Sequence, residues 1–485
     1  MKNIAIIIQH LYGGGAERSA SLLSKYLSSI YNVYIFLEND RDSYHEYGGT
    51  KIVMVPEKGK SKAYVLKKLK EKYHIDCAIS FMEQNNVLNF KSKGKESVIF
   101  SYRNTLSKVI IPRTLEYSMR WMSEYADNIV AVSEGCRYDL IKNYGFLPDS
   151  ITTIYNYINK DKILENAVQP IDDNSVVTFK GKSKLLLHIG RLVRQKNQER
   201  ILVQFARLIE DNKDVKLLII GSGEDADVVK DKIMELGIAD RVKLMPFTNN
   251  PFLYHRYADA IVLASRAEGL PNVLLESMLL RTPIISVDCM SGPRELLAEE
   301  KDYERKVNGY EICKNGILVE NANTDDIGET NYLCQAMERM LGDDELREKL
   351  ANNAYEFMKT YSNEKILNQW ISVIENTKTK ELGCDEKIIP MLRDKKEVIV
   401  YGAGEIGTDV MLYLLEERST WEFICFAVTD KSTCESPVKD IPLFEIAELY
   451  RHKETAVVVI SVRIQFEDEV VENVMKYGFQ YVWAR

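Results

Sequence analysis

Residues 260–288 constrain the fold class more tightly than any other stretch of the chain. An apolar run, AIVLAS, leads through RAEGLPN into VLLESMLL and then into TPIISVD. The order is strand, glycine loop, helix, strand. A unit of that length is a parallel crossover, and it sets its glycine loop at the carboxyl edge of a parallel sheet, against a helix N-terminus. Free backbone N–H groups and the helix dipole both favour negative charge there, so the loop suits a phosphorylated ligand. Glu268 opens the loop, and Glu276 follows with seven residues between them, at most one turn into the helix. Carboxylates only accept hydrogen bonds, which suits the vicinal hydroxyls of a sugar or ribose.

The same alternation runs through the rest of the chain. NIAIII, NVYIFL, KIVMV, CAISF, SVIFS and NIVAVS read as strands, separated by amphipathic stretches such as ERSASLLSKYLSSI. A connector rich in Asp, Asn and Lys occupies 160–183, and the pattern restarts with KLLLHIG, VKLLIIG and RVKLMPF. Two doubly wound parallel sheets follow from this pattern. A length of 485 residues accommodates them with room for a further unit. The net charge of −8 argues against a nucleic-acid binder. Eight cysteines without a C-x-x-C pair argue against a zinc ribbon or a disulfide framework and point to a reducing cytoplasm. The apolar run in MKNIAIIIQH is too short for a signal peptide or a membrane span and reads as a first buried strand.

Several loops carry chemistry. After KLLLHI come Gly190, Arg191 and Lys196, two cations in one strand-to-helix loop that can neutralise a diphosphate. GSGED, beginning at Gly221, follows the next strand, and Phe247 lies in PFTNN ahead of a short helix. Asp225 and Asp227 form a D-x-D triplet, but it opens a helix-like stretch and is read as a helix start rather than a metal site. Near the N-terminus, Gly13, Gly14 and Gly15 permit close backbone approach ahead of a helix beginning near Ala16, with Glu17 and Arg18 next. SYRNT ends a strand with Arg103 and Asn104, VAVSEG ends another with Ser133, and Asn156 lies in IYNYIN at the exit to the connector.

Together these segments resemble the family 4 retaining glycosyltransferases, which have the GT-B fold of two Rossmann-like domains facing across a cleft. The resemblance rests on the Glu-x7-Glu pair, the Gly-Arg-x4-Lys element at 190–196, the Gly-Gly-x-Glu loop at 14–17 and DCMSGPRE at 288–295, and it covers about residues 1–380. It implies an acceptor-side domain over 1–165, a donor domain over 166–362, and a helix at 363–380 that crosses back to the first domain. It assigns Glu268 to the transferred sugar, Glu276 to the ribose, and Arg191 and Lys196 to the departing diphosphate. Gly14, Gly15, Gly190, Gly221, Phe247, Gly269, Leu270, Pro271 and Asn272 would line the nucleotide site. Arg18, Arg103, Asn104 and Ser133 would lie on the acceptor side. The implied donor is a UDP-sugar, used without a metal or other cofactor. The implied acceptor is a glycan of bacterial surface polysaccharide carried on a polyprenyl diphosphate, with teichoic acid or a protein as alternatives.

Two segments stand outside this core. KGKSKAYVLKKLKEK, 58–72, has seven lysines with Ala63, Val65, Leu66 and Leu69 between them. It reads either as a basic amphipathic helix docking on an anionic membrane surface or as a solvated helix face. From about 390 to 485 a small α/β unit opens with Gly402-x-Gly404-x-x-Gly407 between a strand and a helix, and FICFAVTD ends at Asp430. That context fits a dinucleotide fingerprint. The unit resembles the Rossmann-like domains that precede bacterial sugar-modifying enzymes, which suggests an accessory nucleotide-binding module. The competing reading is an NAD-linked oxidoreductase, or a non-catalytic binding module, centred on this loop.

Overall fold

The computed structural model describes residues 1–41, 46–56, 61–108, 123, 126–170, 175–210, 214–289, 291–321 and 330–379, then 397–404, 407–408, 410–411, 414, 423–433, 435–438, 440–461 and 467–483. The chain divides into two units, Met1–Thr379 and Lys380–Arg485.

The first unit holds two sheets. In the first half, β1 (Asn3–Ile8), β2 (Asn32–Leu37), β3 (Thr50–Val53), β4 (Cys77–Phe81), β5 (Ser97–Tyr102), β6 (Asn128–Ala131) and β7 (Ile151–Thr153) form a parallel sheet. Its order is β3-β2-β1-β4-β5-β6-β7. Strands buried on both faces read as unbroken apolar runs, which is why NIAIII and CAISF declare themselves; Ile4–Ile8 are all buried. In the second half, β8 (Lys184–Ile189), β9 (Val215–Ile220), β10 (Val242–Met245), β11 (Ala260–Leu263), β12 (Ile284–Val287), β13 (Tyr310–Ile312) and β14 (Ile317–Val319) follow the order β10-β9-β8-β11-β12-β14-β13. Only β13 in that sheet runs antiparallel to its neighbour. Strand order reverses between β1 and β4, and again between β8 and β11. Ligands of open α/β sheets bind outside the carboxyl ends of strands at such points.

The connector contains helices at Lys160–Ala167 and Ser175–Lys180, with 171–174 outside the described residues. The helix Asn363–Asn376 packs on the first half: Trp370 stacks on Phe81 with ring centres 6.2 Å apart, and Glu375 accepts from Lys2 and from the Tyr31 hydroxyl, each at 2.7 Å.

Within the basic stretch, 58–60 lie outside the described residues and Lys62–Lys72 is helical. Its apolar positions serve the protein's own core. Val65 and Leu66 are buried, and Ala63 and Leu69 pack against the same cluster. Lys70 is buried too, 2.7 Å from Glu96. Val65 and Leu66 are therefore committed to the core rather than to an outer surface.

The second unit is a five-stranded parallel sheet, β15 (Glu397–Tyr401), β16 (Phe423–Val428), β17 (Leu443–Glu445), β18 (Ala456–Ile460) and β19 (Gln480–Trp483). Its order, β17-β16-β15-β18-β19, reverses between β15 and β18. Separate apolar clusters cover its two faces.

Candidate active site

Two helix N-termini meet where the halves face each other. The helix Gly15–Leu27 starts behind Gly14, and the helix Asn272–Leu279 starts behind Pro271; neither has a side-chain cap. A Cβ added to Gly15 would lie 3.6 Å from the Asn272 amide nitrogen. The Asn272 Oδ1 atom is buried without a hydrogen-bond partner among the described residues. Uncapped helix starts leave N–H donors and a positive dipole end, so this junction favours an anion.

The two loop carboxylates are paired with cations brought from far along the chain. Lys196 donates to Glu268 Oε1, and Arg18 pairs with Glu276 Oε1. Both carboxylates are buried. Glu276 is the fifth residue of its helix, just past the first turn. The Arg18 guanidinium also lies 5.5 Å from the centre of the Phe252 ring.

Lys196 reaches Glu268 because of how its loop is built. After β8 the chain makes a single 3-10 turn, Arg194–Lys196, then passes through Asn197 at φ +54° into the helix Gln198–Ile209. Gln195 ties this turn to the Glu268 loop: its side chain donates to Ala267 O at 2.7 Å and its carbonyl accepts from Arg266 N at 2.8 Å. Beneath lies His188, fully buried, with Nδ1 2.9 Å from Val262 O. Burial pushes the His188 imidazole down to about 4, so it stays neutral under the cationic loop. Arg191 differs from Lys196. Its side chain is exposed and has no partner among the described residues. Gly221 packs on this loop so closely that a Cβ there would lie 1.9 Å from Gly190 O. The backbone N–H of Phe247 donates to Ser222 Oγ at 3.0 Å, and the Phe247 ring lies 6.3 Å from Tyr12 of the first half. Asp225 stands at the N-cap of the helix Ala226–Glu235, and Asp227 pairs with Lys230 at 2.9 Å.

The remaining candidates line the seam between the halves. Thr105 Oγ1 donates to Glu268 O at 2.8 Å, and Asn156 Nδ2 donates to Leu270 O at 2.7 Å. Arg103 lies over the Phe81 ring and donates to Asn156 Oδ1, which also accepts from Ser19 at 3.0 Å. Burial lowers the Arg103 pKa but leaves the group cationic at neutral pH. Asn104 Oδ1 is buried with no partner among the described residues. Ser133 is fully buried, and its hydroxyl caps the helix Glu134–Tyr144 by accepting from Cys136 N at 3.1 Å. Its side chain is thus committed to a helix start. Gly269 threads this seam; a Cβ there would meet Arg103 O at 2.2 Å, so no larger residue fits.

Comparison with known proteins settles the family. Residues 13–162 match the model described as Glycosyltransferase Family 4, and residues 171–357 match the model described as Glycosyl transferases group 1. The chain belongs to glycosyltransferase family 4. This glycosyltransferase is 28% identical to the Campylobacter jejuni N-acetylgalactosamine-N,N'-diacetylbacillosaminyl-diphospho-undecaprenol 4-alpha-N-acetylgalactosaminyltransferase, over 76% of this chain and 97% of that protein. It is also 28% identical to an uncharacterized glycosyltransferase of Methanocaldococcus jannaschii, over 73% of this chain and 93% of that one. The crystal structure of Anabaena HepE in complex with UDP-glucose shares its GT-B fold at TM-score 0.64 and 18% identity, covering 77% of this chain and all of that one.

Glu295 plays a part that the motif alone did not reveal. In this glycosyltransferase it sits in the helix Gly292–Leu297, and its carboxylate accepts from Gly135 N at 2.7 Å, Glu134 N at 3.2 Å and the Tyr155 hydroxyl at 2.8 Å. All three donors belong to the first half or its exit. The signal lay in the DCMSGPRE element, but its partners lie about 140–160 residues away.

In the second unit, Gly402 follows β15 at φ +114°, and a Cβ on Gly407 would lie 1.6 Å from Gly402 O. Gly404 is exposed, with open space where a Cβ would stand. Residues 405 and 406 lie outside the described residues. Asp430 is exposed past the end of β16 and accepts from Ser432 N at 2.8 Å. Among the described residues no helix is long and apolar enough to cross a membrane.

Proposed function

We propose that this glycosyltransferase transfers a hexose or N-acetylhexosamine from a UDP-sugar, with retention of configuration, to a glycan acceptor of bacterial surface polysaccharide. The observation that carries this reading is the pair of ion pairs at the meeting helix starts, Lys196 with Glu268 and Arg18 with Glu276. Each joins an acceptor-only group suited to sugar hydroxyls with a cation suited to phosphate. A donor seated there exchanges these partners: Lys196 and the exposed Arg191 take the diphosphate, while Glu268 and Glu276 turn to hydroxyls of the sugar and the ribose. Gly14, Gly15 and the Gly269–Asn272 loop supply the N–H groups around the phosphates.

The bond from C1 of the sugar to the diphosphate oxygen breaks, and the electron pair leaves with UDP. The acceptor hydroxyl forms the new C1–O bond on the same face and passes its proton to a phosphate oxygen of the leaving group. Stabilising the departing charge is the main electrostatic contribution, and cationic side chains supply it without a divalent ion. Arg103 and Asn104 frame the acceptor side. A polyprenyl-diphosphate carrier is supported by the Campylobacter relative, whose name specifies a diphospho-undecaprenol substrate. Contact with an anionic membrane would rest on the exposed Lys67, Lys68 and Lys72 as surface charge alone. The second unit would hold a nucleotide through Gly402, Gly404, Gly407 and Asp430 as an accessory site.

Calorimetry of the full chain with UDP, GDP, NAD and a panel of UDP-sugars tests the reading. UDP and one UDP-sugar should bind, and Lys196→Ala should weaken both by at least about tenfold, as loss of a charged hydrogen bond does. Binding of NAD alone, untouched by that substitution, would overturn it in favour of the second unit.

A further inference from the structure

We propose that Glu295 is a positioning residue whose carboxylate, seated on the start of the helix Glu134–Tyr144, latches the first half onto the second and thereby sets the Glu268 loop. This rests on the reading of Glu268 as the sugar-side carboxylate.

The helix Glu134–Tyr144 already has a side-chain cap in Ser133, which satisfies Cys136 N. Two further N–H groups, of Glu134 and Gly135, point across the seam to Glu295. A carboxylate at a helix start gains both hydrogen bonds and the favourable end of the dipole. Glu295 is buried, and burial pushes its carboxyl above the usual range while the Gly135 N–H and the Tyr155 hydroxyl pull it back.

What it grips is close to the reacting centre. Ser291, immediately before the helix that carries Glu295, donates its hydroxyl to Glu268 O at 2.6 Å. Gly292 N donates to Gly269 O at 2.9 Å. From the other side, Thr105 Oγ1 reaches the same Glu268 carbonyl. The Glu268 loop is therefore clamped between a hydroxyl of each half, and Glu295 holds the two hydroxyls in register. The fit leaves no slack: a Cβ added to Gly135 would lie 2.6 Å from Ser291 Cα.

Hydrogen exchange on the full chain, with Glu295→Ala, Glu295→Gln and Gly135→Ala, tests the latch without assuming a donor. In Glu295→Ala, protection should fall at least about tenfold both in the first turn of 134–144 and in the loop 265–271, in keeping with the loss of a buried, charge-assisted hydrogen-bond set. Glu295→Gln keeps an acceptor and should recover most of it. Gly135→Ala favours the helix intrinsically but blocks the seam, so the 265–271 loop should lose protection while 134–144 keeps its own. Loss confined to 134–144 in Glu295→Ala would reduce Glu295 to a local cap and overturn the proposal. With the UDP-sugar of the panel that the wild type turns over fastest as donor, kcat of Glu295→Ala should fall about tenfold or more with KM within about threefold, the pattern of a misplaced group rather than a lost binding contact. An unchanged kcat would also overturn it. A wild-type enzyme inactive on every UDP-sugar of the panel would count against the donor reading, and the exchange result would still decide the latch.

Discussion

At the scale of single residues, the candidate site is two ion pairs whose members a bound donor would separate. Glu268 is buried, and among the described residues its ion-pair partner is Lys196. A donor that draws Lys196 to its phosphates leaves the carboxylate free to orient the sugar and to steady positive charge developing on the ring. Glu268→Gln keeps the shape and removes the charge. Its turnover is expected to fall by about 10²–10³, the scale of losing one preorganised electrostatic group, while UDP affinity stays within about threefold of the wild type; steady-state rates beside calorimetry measure both. A tenfold or greater loss of UDP affinity with unchanged turnover would place Glu268 on the nucleotide instead. Lys196→Ala carries a second cost, because it strands Glu268 as a buried carboxylate without its cation.

At the scale of elements, what was legible depended on local period. The long strands are buried on both faces and spell mainly apolar runs, so β1, β4 and β8 are plain from the local order of residues. β7, β13 and β14 are three residues each, too short for a period to register. The helix Lys62–Lys72 shows the opposite limit. Its amphipathic spacing was plain, but whether the apolar side faced lipid or protein depended on what packed against it, and Val65 and Leu66 answer to the core. Lys70 goes with them. Burial pulls its amine down to about 8, and it survives as a cation through Glu96 and the Asn89 side chain, each at 2.7 Å. Glu96→Gln should therefore destabilise the first unit by about 3–5 kcal/mol, the cost of breaking a buried pair from one side. Lys68→Ala, on the exposed face of the same helix, should leave stability essentially unchanged. Thermal or denaturant unfolding compares the two, and equal effects would contradict the burial argument.

At the scale of the whole molecule, Met1–Thr379 contains every residue proposed for transfer, and Lys380–Arg485 is a unit with its own sheet and cores. A chain ending at Thr379 should fold and keep at least about half of the full-length transfer rate, since a unit with its own sheets and apolar core can fold by itself. An insoluble or inactive truncation would make the second unit integral to the enzyme. The sequence by itself determined the alternation of strands and helices, the two sheets and the third, and the loops that carry glycine and charge. Those features are encoded within a few neighbouring residues, through backbone period, turn chemistry and helix starts. Only the tertiary structure decided which charges meet. Lys196 and Glu268 are 72 residues apart, Arg18 and Glu276 are 258 apart, and Glu295 reaches Gly135 across 160. No local pattern encodes such pairs, because each depends on how one sheet edge docks against the other, and docking is set by the summed shape of both halves rather than by any segment within them.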